Sequence, residues 1–206
     1  MAPAIAVVVI LAAFQLASRK RWMFEIKDIL PMTLECILLS IPLIVFSLFL
    51  SSSSTTPAAE GTATNISKAL SIFYCSAPNG AAGSSLIADI VTGIGAGIYE
   101  ELIFRLILIC VLMMLFQDVL RLSKMHSVIF SVVISAALFS AHHHVFFING
   151  HMSLNAPFAW PEFIFRTAAG IYFAIVFAIR GFGITAGTHA FYDIIATLIN
   201  AMFFQQ

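Results

Sequence analysis

The stretch GIYEELIFRLILIC, residues 97–110, places three ionisable side chains inside an apolar run. Each charge within a membrane span costs roughly 2.5–3.5 kcal/mol, so this group needs a local explanation. On a helix, Glu101 and Arg105 lie four residues apart on one face and can pair. Glu100 is rotated by about 100° from Glu101 and cannot share that arginine equally. The spacing therefore predicts a structural Glu101–Arg105 pair and leaves Glu100 as a general base. The alternative is an ion pair that only fastens two helices, and the second glutamate argues against it.

Three consecutive histidines, His142, His143 and His144, stand near the end of the apolar stretch ISAALFSAHHHVFF. On a helix they point in three directions, so only one or two of them can face Glu100. Phe139 and His143 lie four residues apart on one face, which favours His143. His142 remains the alternative, and the other histidines are expected to be hydrogen-bonded or to lie at the membrane interface.

The segment RGFGITAGTHAFYD, residues 180–193, carries His189 and Asp193 at a spacing of four. Both side chains can reach one point inside a helix bundle. Three separate spans thus carry a Glu or His cluster, and buried ionisable groups need partners, so we expect them to converge on one water-filled cavity. Convergence at one depth requires helices that start at different levels, or a final helix broken near glycines 181–187.

Two pairs of glycines have the GxxxG spacing that allows membrane helices to approach closely. Gly93 and Gly97 precede the two glutamates, and Gly183 and Gly187 precede His189. We expect both pairs to lie at helix contacts.

Three motifs occur in order on separate apolar segments: Glu-Glu-x-x-x-Arg at 100–105, Phe-x-x-x-His at 139–143 and His-x-x-x-Asp at 189–193. Together they resemble the CAAX protease and bacteriocin-processing family, whose members are intramembrane glutamic endopeptidases. The resemblance covers roughly the C-terminal half, from Thr92 to the end.

The resemblance implies metal-independent peptide hydrolysis without a cofactor. In this family pattern Glu100 would activate a water with help from His143, while His189 and Asp193 would stabilise the oxyanion. Eukaryotic prenyl proteases have Asn where this chain has Asp193, and bacterial relatives use either residue. An ionised Asp cannot donate a hydrogen bond to an oxyanion, so Asp193 must carry a proton or orient His189.

Two other classes of function compete with the endopeptidase. The first is a non-catalytic family member that acts as a bacteriocin immunity protein or a binding protein. The second is a proton or metal-ion transporter that uses the Glu and His cluster, since imidazole suits transition metals. The sequence has no inverted repeat to support transport, and it has no HExxH motif for a zinc protease.

The composition predicts an integral membrane protein. The 206 residues are 61% hydrophobic and 10% charged, and the mean hydropathy is +1.01. Soluble domains are about 45–50% apolar and about 25% charged. The formal net charge is zero, without a basic stripe, which makes nucleic acid an unexpected partner.

About 20 apolar residues cross a bilayer as a helix. The sequence predicts an all-α polytopic bundle of six to seven transmembrane helices in one domain, 1–206. Residues 1–50 hold two N-terminal spans, 51–85 form a polar loop with a possible re-entrant helix or seventh crossing at 69–83, and 86–206 form the catalytic core. The predicted spans are Ala2–Ala17, Ile29–Leu50, Leu86–Phe116, Ser127–Phe147, Phe163–Ile179 and Ile184–Phe204.

The basic residues predict an orientation. With six crossings, the three loops that carry them lie on one side, which the positive-inside rule makes cytoplasmic. The first segment is followed by SRKR, with no basic residue before it, so we expect a retained span rather than a cleaved leader. The short chain and the THAFYD motif favour a bacterial inner membrane. The expected partners are the lipid bilayer and a peptide or protein substrate, either with or without a lipid modification; the oligomeric state stays open.

Overall fold

The computed structural model describes residues 2–18, 25–53, 86–143, 145–148, 151–154 and 160–204. Its described part is an all-α bundle with one short hairpin, which confirms the predicted fold class. The possible re-entrant helix at 69–83 lies outside the described residues. The helices, in chain order, are α1 (Ala2–Ser18), α2 (Ile29–Ser53), α3 (Leu86–Val119), α4 (Lys124–His142), α5 (Trp160–Arg180) and α6 (Phe182–Phe204).

Five of these helices, α2 to α6, are long and apolar enough to cross a membrane. The predicted spans for these five begin within three residues of the helices observed. Helix α1 has 17 residues, which at 1.5 Å per residue gives about 25 Å, shorter than the roughly 30 Å hydrocarbon core. The surface is apolar, with exposed Val91, Met114 and Ile179, while Ser127, Thr185 and Thr188 are buried. This inside-out distribution fits a protein in lipid.

Helix α3 is not a uniform α-helix. Its hydrogen-bond pattern widens to that of a π-helix at Leu102–Leu108 and again at Leu115–Val119. In a π-helix each N–H bonds to the carbonyl five residues back, and such turns are frequent at functional sites. The first wide turn begins directly after Glu101 and contains Arg105. It therefore changes the direction in which Arg105 leaves the helix.

Helix α4 ends earlier than the predicted span Ser127–Phe147. Its last residue is His142, and His143 forms the C-cap. The chain then forms a short antiparallel hairpin, with β1 (Val145–Ile148) paired to β2 (His151–Leu154). The prediction of a helix through Phe147 was wrong because VFFI is apolar but rich in β-formers, and hydropathy alone does not separate the two structures.

The break between α5 and α6 lies at Gly181. This residue has φ +82, a left-handed conformation that glycine adopts without strain, and its N–H bonds to the carbonyl of Phe177 at 2.9 Å. Helix α6 then runs without interruption from Phe182 to Phe204. The interruption at Gly181 therefore precedes the final helix, and the alternative of a break inside that helix was wrong.

Glycines bring the helices close together at three positions, two of which, Gly97 and Gly187, belong to the predicted GxxxG pairs. A Cβ on Gly187 would lie 2.6 Å from the Sγ of Cys36 on α2, and one on Gly170 would lie 3.0 Å from the Cα of Ala136 on α4. A Cβ on Gly97 would meet α6. A Cβ on Gly183 would meet no heavy atom of the described residues within 4 Å, so among these residues only Gly187 of the second GxxxG pair makes the predicted helix contact.

Candidate active site

The three motifs face one another across an open recess between α3, α4, α5 and α6. Glu100 comes from the middle of α3, His143 from the end of α4, and His189 from the second turn of α6. Apolar side chains complete the walls, among them Phe139 and Phe173. The structure thus brings together the residues that the spacing argument placed in one cavity.

Glu100 and His143 face each other. The Oε1 atom of Glu100 lies 3.6 Å from the Nε2 atom of His143, which is too long for a direct hydrogen bond. The other ring nitrogen, Nδ1, lies 3.0 Å from the carbonyl oxygen of Phe139. A carbonyl only accepts, so Nδ1 carries the hydrogen; when the ring is neutral, Nε2 is then the unprotonated nitrogen that faces Glu100.

Glu101 is shared by two partners. Its Oε2 atom lies 3.2 Å from the Nε atom of Arg105, four residues later. Its Oε1 atom lies 2.8 Å from the Nδ1 atom of His189, whose N–H it accepts. The carboxylate is 0% exposed and the guanidinium 1%. The spacing predicted the first contact; the second joins α3 to α6 and makes Glu101 the residue that fixes the His189 ring.

Arg105 is held by neutral groups as well as by Glu101. Its guanidinium carbon lies 4.3 Å from the ring centroid of Phe139 and 5.3 Å from that of Phe173. Its Nη2 atom approaches the carbonyl oxygen of Gly170 at 3.5 Å. Cation–π contacts of this kind are stronger when desolvated. The arginine therefore links three helices at the floor of the site.

His189 stacks on Phe173, with ring centroids 4.6 Å apart and an interplanar angle of 17°. Its Nε2 atom faces the recess, 3.9 Å from the Oε2 atom of Glu100 and 3.8 Å from the Oδ2 atom of Asp193. Asp193 thus lies beside Nε2 without a hydrogen bond to it. The group that orients the imidazole is Glu101, together with the stacked ring.

Gly97 permits this close approach of α6 to α3. A Cβ at Gly97 would lie 3.0 Å from the Oδ2 atom of Asp193 and 3.3 Å from the Cγ and Cδ2 atoms of His189. A Cβ on Gly93, one turn earlier, would lie 3.5 Å from the Cβ of Asp193. The first GxxxG pair therefore lies at a helix contact, and its second glycine borders the site itself.

His142, the alternative motif histidine, points away from Glu100. It is exposed, and its ring makes edge contacts with Phe104 and His143 at centroid distances of 5.7 Å and 5.6 Å. The one-residue ambiguity in the histidine run is thus resolved geometrically in favour of His143 as the residue beside Glu100.

Comparison with known proteins supplies the family. A family model described as type II CAAX prenyl endopeptidase Rce1-like matches residues 82–195, which is more than half of the chain. The chain belongs to the Rce1-like family. No curated protein and no solved structure matches it.

Membership of the Rce1-like family makes the chain a CAAX protease-type endopeptidase at the level of the family. A family peptidase acts on a peptide or protein substrate, and the five long apolar helices make this one an integral membrane protein. The matched range includes the Glu-Glu-x-x-x-Arg, Phe-x-x-x-His and His-x-x-x-Asp motifs.

Several lining residues of this Rce1-like site were not singled out from the sequence. Phe173, Tyr192 and Arg166 border the recess. Arg166 could have been found by the rule that selected Arg105, because it is a charge within an apolar helix. Phe173 and Tyr192 have no such signal, since aromatic residues are frequent throughout the chain. Among the described residues, no group of three or more His, Cys, Asp or Glu side chains is arranged to hold a metal ion.

Proposed function

We propose that the chain hydrolyses peptide bonds within the membrane by a water that Glu100 and His143 activate, without a metal ion. The observation that carries the proposal is the orientation of the His143 ring. Its Nδ1–H is directed at the carbonyl of Phe139 at 3.0 Å, while Nε2 lies 3.6 Å from Glu100. A water over this pair can donate one hydrogen to the Glu100 carboxylate and the other to Nε2.

The attack on the scissile carbonyl needs a base and an acid, and Glu100 can serve as both. Its carboxylate takes one proton from the water as the oxygen adds to the carbonyl carbon. The same proton then passes to the amine nitrogen as the C–N bond breaks. Peptide and water thus yield a carboxylic acid and an amine. His143 keeps the water oriented and is not consumed.

The charge that develops on the carbonyl oxygen needs a hydrogen-bond donor. We assign this role to His189, whose Nε2 atom faces the recess 3.9 Å from the Oε2 atom of Glu100 and whose N–H can donate when the ring is protonated. Glu101 accepts the Nδ1 hydrogen at 2.8 Å, which favours the protonated ring as a carboxylate does in hydrolytic triads. We assign Asp193, 3.8 Å from Nε2, to the same wall.

The proposal also covers the substrate and the location of the protein. We infer a peptide or protein substrate, with or without a lipid modification. We also infer that the protein lies in a bacterial inner membrane. We also assign the catalytic core to residues 86–206, because all four helices that line the recess lie there. The spans before it, within 1–50, contribute α2, which packs on α6 through Cys36 and Gly187.

The test uses the purified full chain in lipid nanodiscs with two fluorogenic peptides. One carries a farnesylated cysteine near its C-terminus, and the other is the same peptide without the lipid. Glu100→Gln removes the base with little change in volume. Glu35→Gln is the matched control, because Glu35 pairs with Arg180 at 2.6 Å outside the recess.

We expect Glu100→Gln to lower kcat at least a hundredfold, in line with the 10²–10⁴ that general bases contribute. Glu35→Gln should retain wild-type activity, and 1,10-phenanthroline should not inhibit. Cleavage by Glu100→Gln at the wild-type rate would exclude Glu100 as the base. If the chelator inhibits cleavage and added zinc restores it, the enzyme uses a metal ion and the metal-free activation of water is excluded.

A further inference from the structure

Ser135 on α4 hydrogen-bonds to the backbone of another helix, as Ser140 does with the carbonyl of Phe163 on α5 at 2.9 Å, and Ser135 is the one that reaches α3. Its hydroxyl donates to the carbonyl oxygen of Phe104 on α3 at 2.6 Å, and the residue is 2% exposed. Ser127, on the same face two turns earlier, bonds to the carbonyl of Ser123 in its own chain segment. Ser131, between them, is buried and its hydroxyl has no hydrogen-bond partner among the described residues.

The acceptor of this hydrogen bond lies inside the first π-helical turn, Leu102–Leu108. A side chain that inserts into the backbone ladder is one of the known causes of a local departure from the α-helix. A carbonyl oxygen has two lone pairs, so the bond from Ser135 can coexist with a helix bond or compete with it. In either case the Ser135 hydroxyl restrains the peptide unit between Phe104 and Arg105.

That peptide unit leads directly to the site. Its nitrogen belongs to Arg105, whose Nε lies 3.2 Å from Glu101, and Glu101 in turn accepts from His189 at 2.8 Å. The residue after Ser135, Ala136, is also connected to Arg105, through Gly170. Ala136 packs against Gly170, and the Gly170 carbonyl lies 3.5 Å from Nη2 of Arg105.

We propose that Ser135 is a positioning residue for the endopeptidase site. By holding the Phe104–Arg105 peptide unit in the wide turn, it sets the position of Arg105, of Glu101 and thereby of the His189 ring. Ser135 is not among the residues that line the recess, so its effect is transmitted through these three groups. The catalytic consequence rests on the proposed function, whereas the structural relay can be tested without any substrate.

The first readout is the carbonyl carbon of Phe104. Protein labelled with [1-¹³C]Phe and ¹⁵N-Arg gives carbon–nitrogen correlations only from Phe-Arg pairs, of which the sequence has two, Phe104–Arg105 and Phe165–Arg166. The second pair is an internal reference. In nanodiscs, Ser135→Ala should move the first correlation by more than its linewidth and leave the second in place.

The second readout is the Nδ1 resonance of His189 in ¹⁵N-histidine protein, identified by its absence in His189→Asn. Ser135→Ala should move it, because Glu101 shifts with Arg105. Ser131→Ala is the matched control, since it removes a buried hydroxyl one turn away that has no hydrogen-bond partner within the described part of the chain. Ser135→Cys, which keeps the volume but donates weakly, should give a smaller change and replaces the alanine variant if that one unfolds.

The third readout is cleavage of the fluorogenic peptide. Ser135→Ala should lower kcat by tenfold to a hundredfold, as expected for a small misplacement of catalytic groups, with KM within about twofold of the wild type because the recess keeps its shape. Ser131→Ala should keep the wild-type kcat.

Three results would overturn the proposal: an unmoved Phe104 carbonyl or His189 resonance in Ser135→Ala, an equal response to Ser131→Ala, or an unchanged kcat. If the wild type cleaves neither peptide, the proposed function fails for these substrates, while the two resonances still decide whether Ser135 controls His189.

Discussion

Gly97 is the position where a single methyl group would act directly on the site. Gly97→Ala adds a Cβ that would lie 3.0 Å from the Oδ2 atom of Asp193 and 3.3 Å from two ring carbons of His189. Comfortable contacts between heavy atoms are about 3.5–4.0 Å. The His189 ring and the Asp193 carboxylate must therefore move by a few tenths of an ångström, or α6 must move away from α3.

The magnitude follows from two opposing effects. Alanine in place of glycine favours a helix by about 1 kcal/mol, and overpacking of a tight contact costs about 1–3 kcal/mol. The net loss of stability is therefore about 0–2 kcal/mol, which leaves the protein folded. The displaced atoms belong to the proposed oxyanion wall, so kcat should fall by about tenfold or more.

Gly95 provides the matched control, because a Cβ there would lie within 4 Å of no heavy atom in the part of the chain that the structure describes. Gly95→Ala lies on the same helix and gains the same helix propensity without a contact. Thermal unfolding and peptide cleavage in nanodiscs measure both variants. We expect Gly95→Ala to be at least as stable as the wild type and fully active. Full activity in Gly97→Ala, with wild-type stability, would refute the view that Gly97 sets the distance between α3 and the His189 wall.

Two further predictions concern the supports of the site. Glu101→Gln keeps the shape of the side chain but removes the negative charge that faces Arg105 and the His189 ring. We therefore expect kcat to fall on the order of 10²–10⁴-fold. A change in KM alone would contradict the role of this carboxylate. Gly187→Ala would place a Cβ 2.6 Å from the Sγ of Cys36, so its unfolding should require about 1–3 kcal/mol less than that of Gly183→Ala. Gly183→Ala is the control, because a Cβ there would meet no heavy atom of the described residues within 4 Å. Equal melting temperatures for the two variants would speak against a close α2–α6 contact.

The helices themselves could be predicted because they depend on local composition. Apolar runs of sufficient length gave the five long spans, and the ends of α2, α5 and α6 fall within three residues of the predicted ends. The end of α4 could not be found in this way, because the apolar residues 145–148 form a strand in a hairpin. Hydropathy indicates that a segment is apolar, but it does not indicate whether that segment forms a helix or a strand.

The site was predicted where side chains lie on one helix face. The i, i+4 rule gave the Glu101–Arg105 contact, and the same rule selected His143. The contact between Glu101 and His189 could not be predicted, because it joins two helices whose separation depends on the absence of a side chain at Gly97. The wide turn at Leu102–Leu108 has no sequence signal of its own, since its support comes from a serine 31 positions later.

The site residues are held in two different ways, because α4 ends at His142 and His143 is its C-cap. Glu101, His189 and Arg105 lie within helices whose packing fixes them to one another. His143 stands between the end of α4 and strand β1, so helix packing alone does not fix its distance from Glu100. Under the proposed function, substitutions in β1 or β2 would change how the water beside Glu100 is held and would leave the contact between Glu101 and His189 in place.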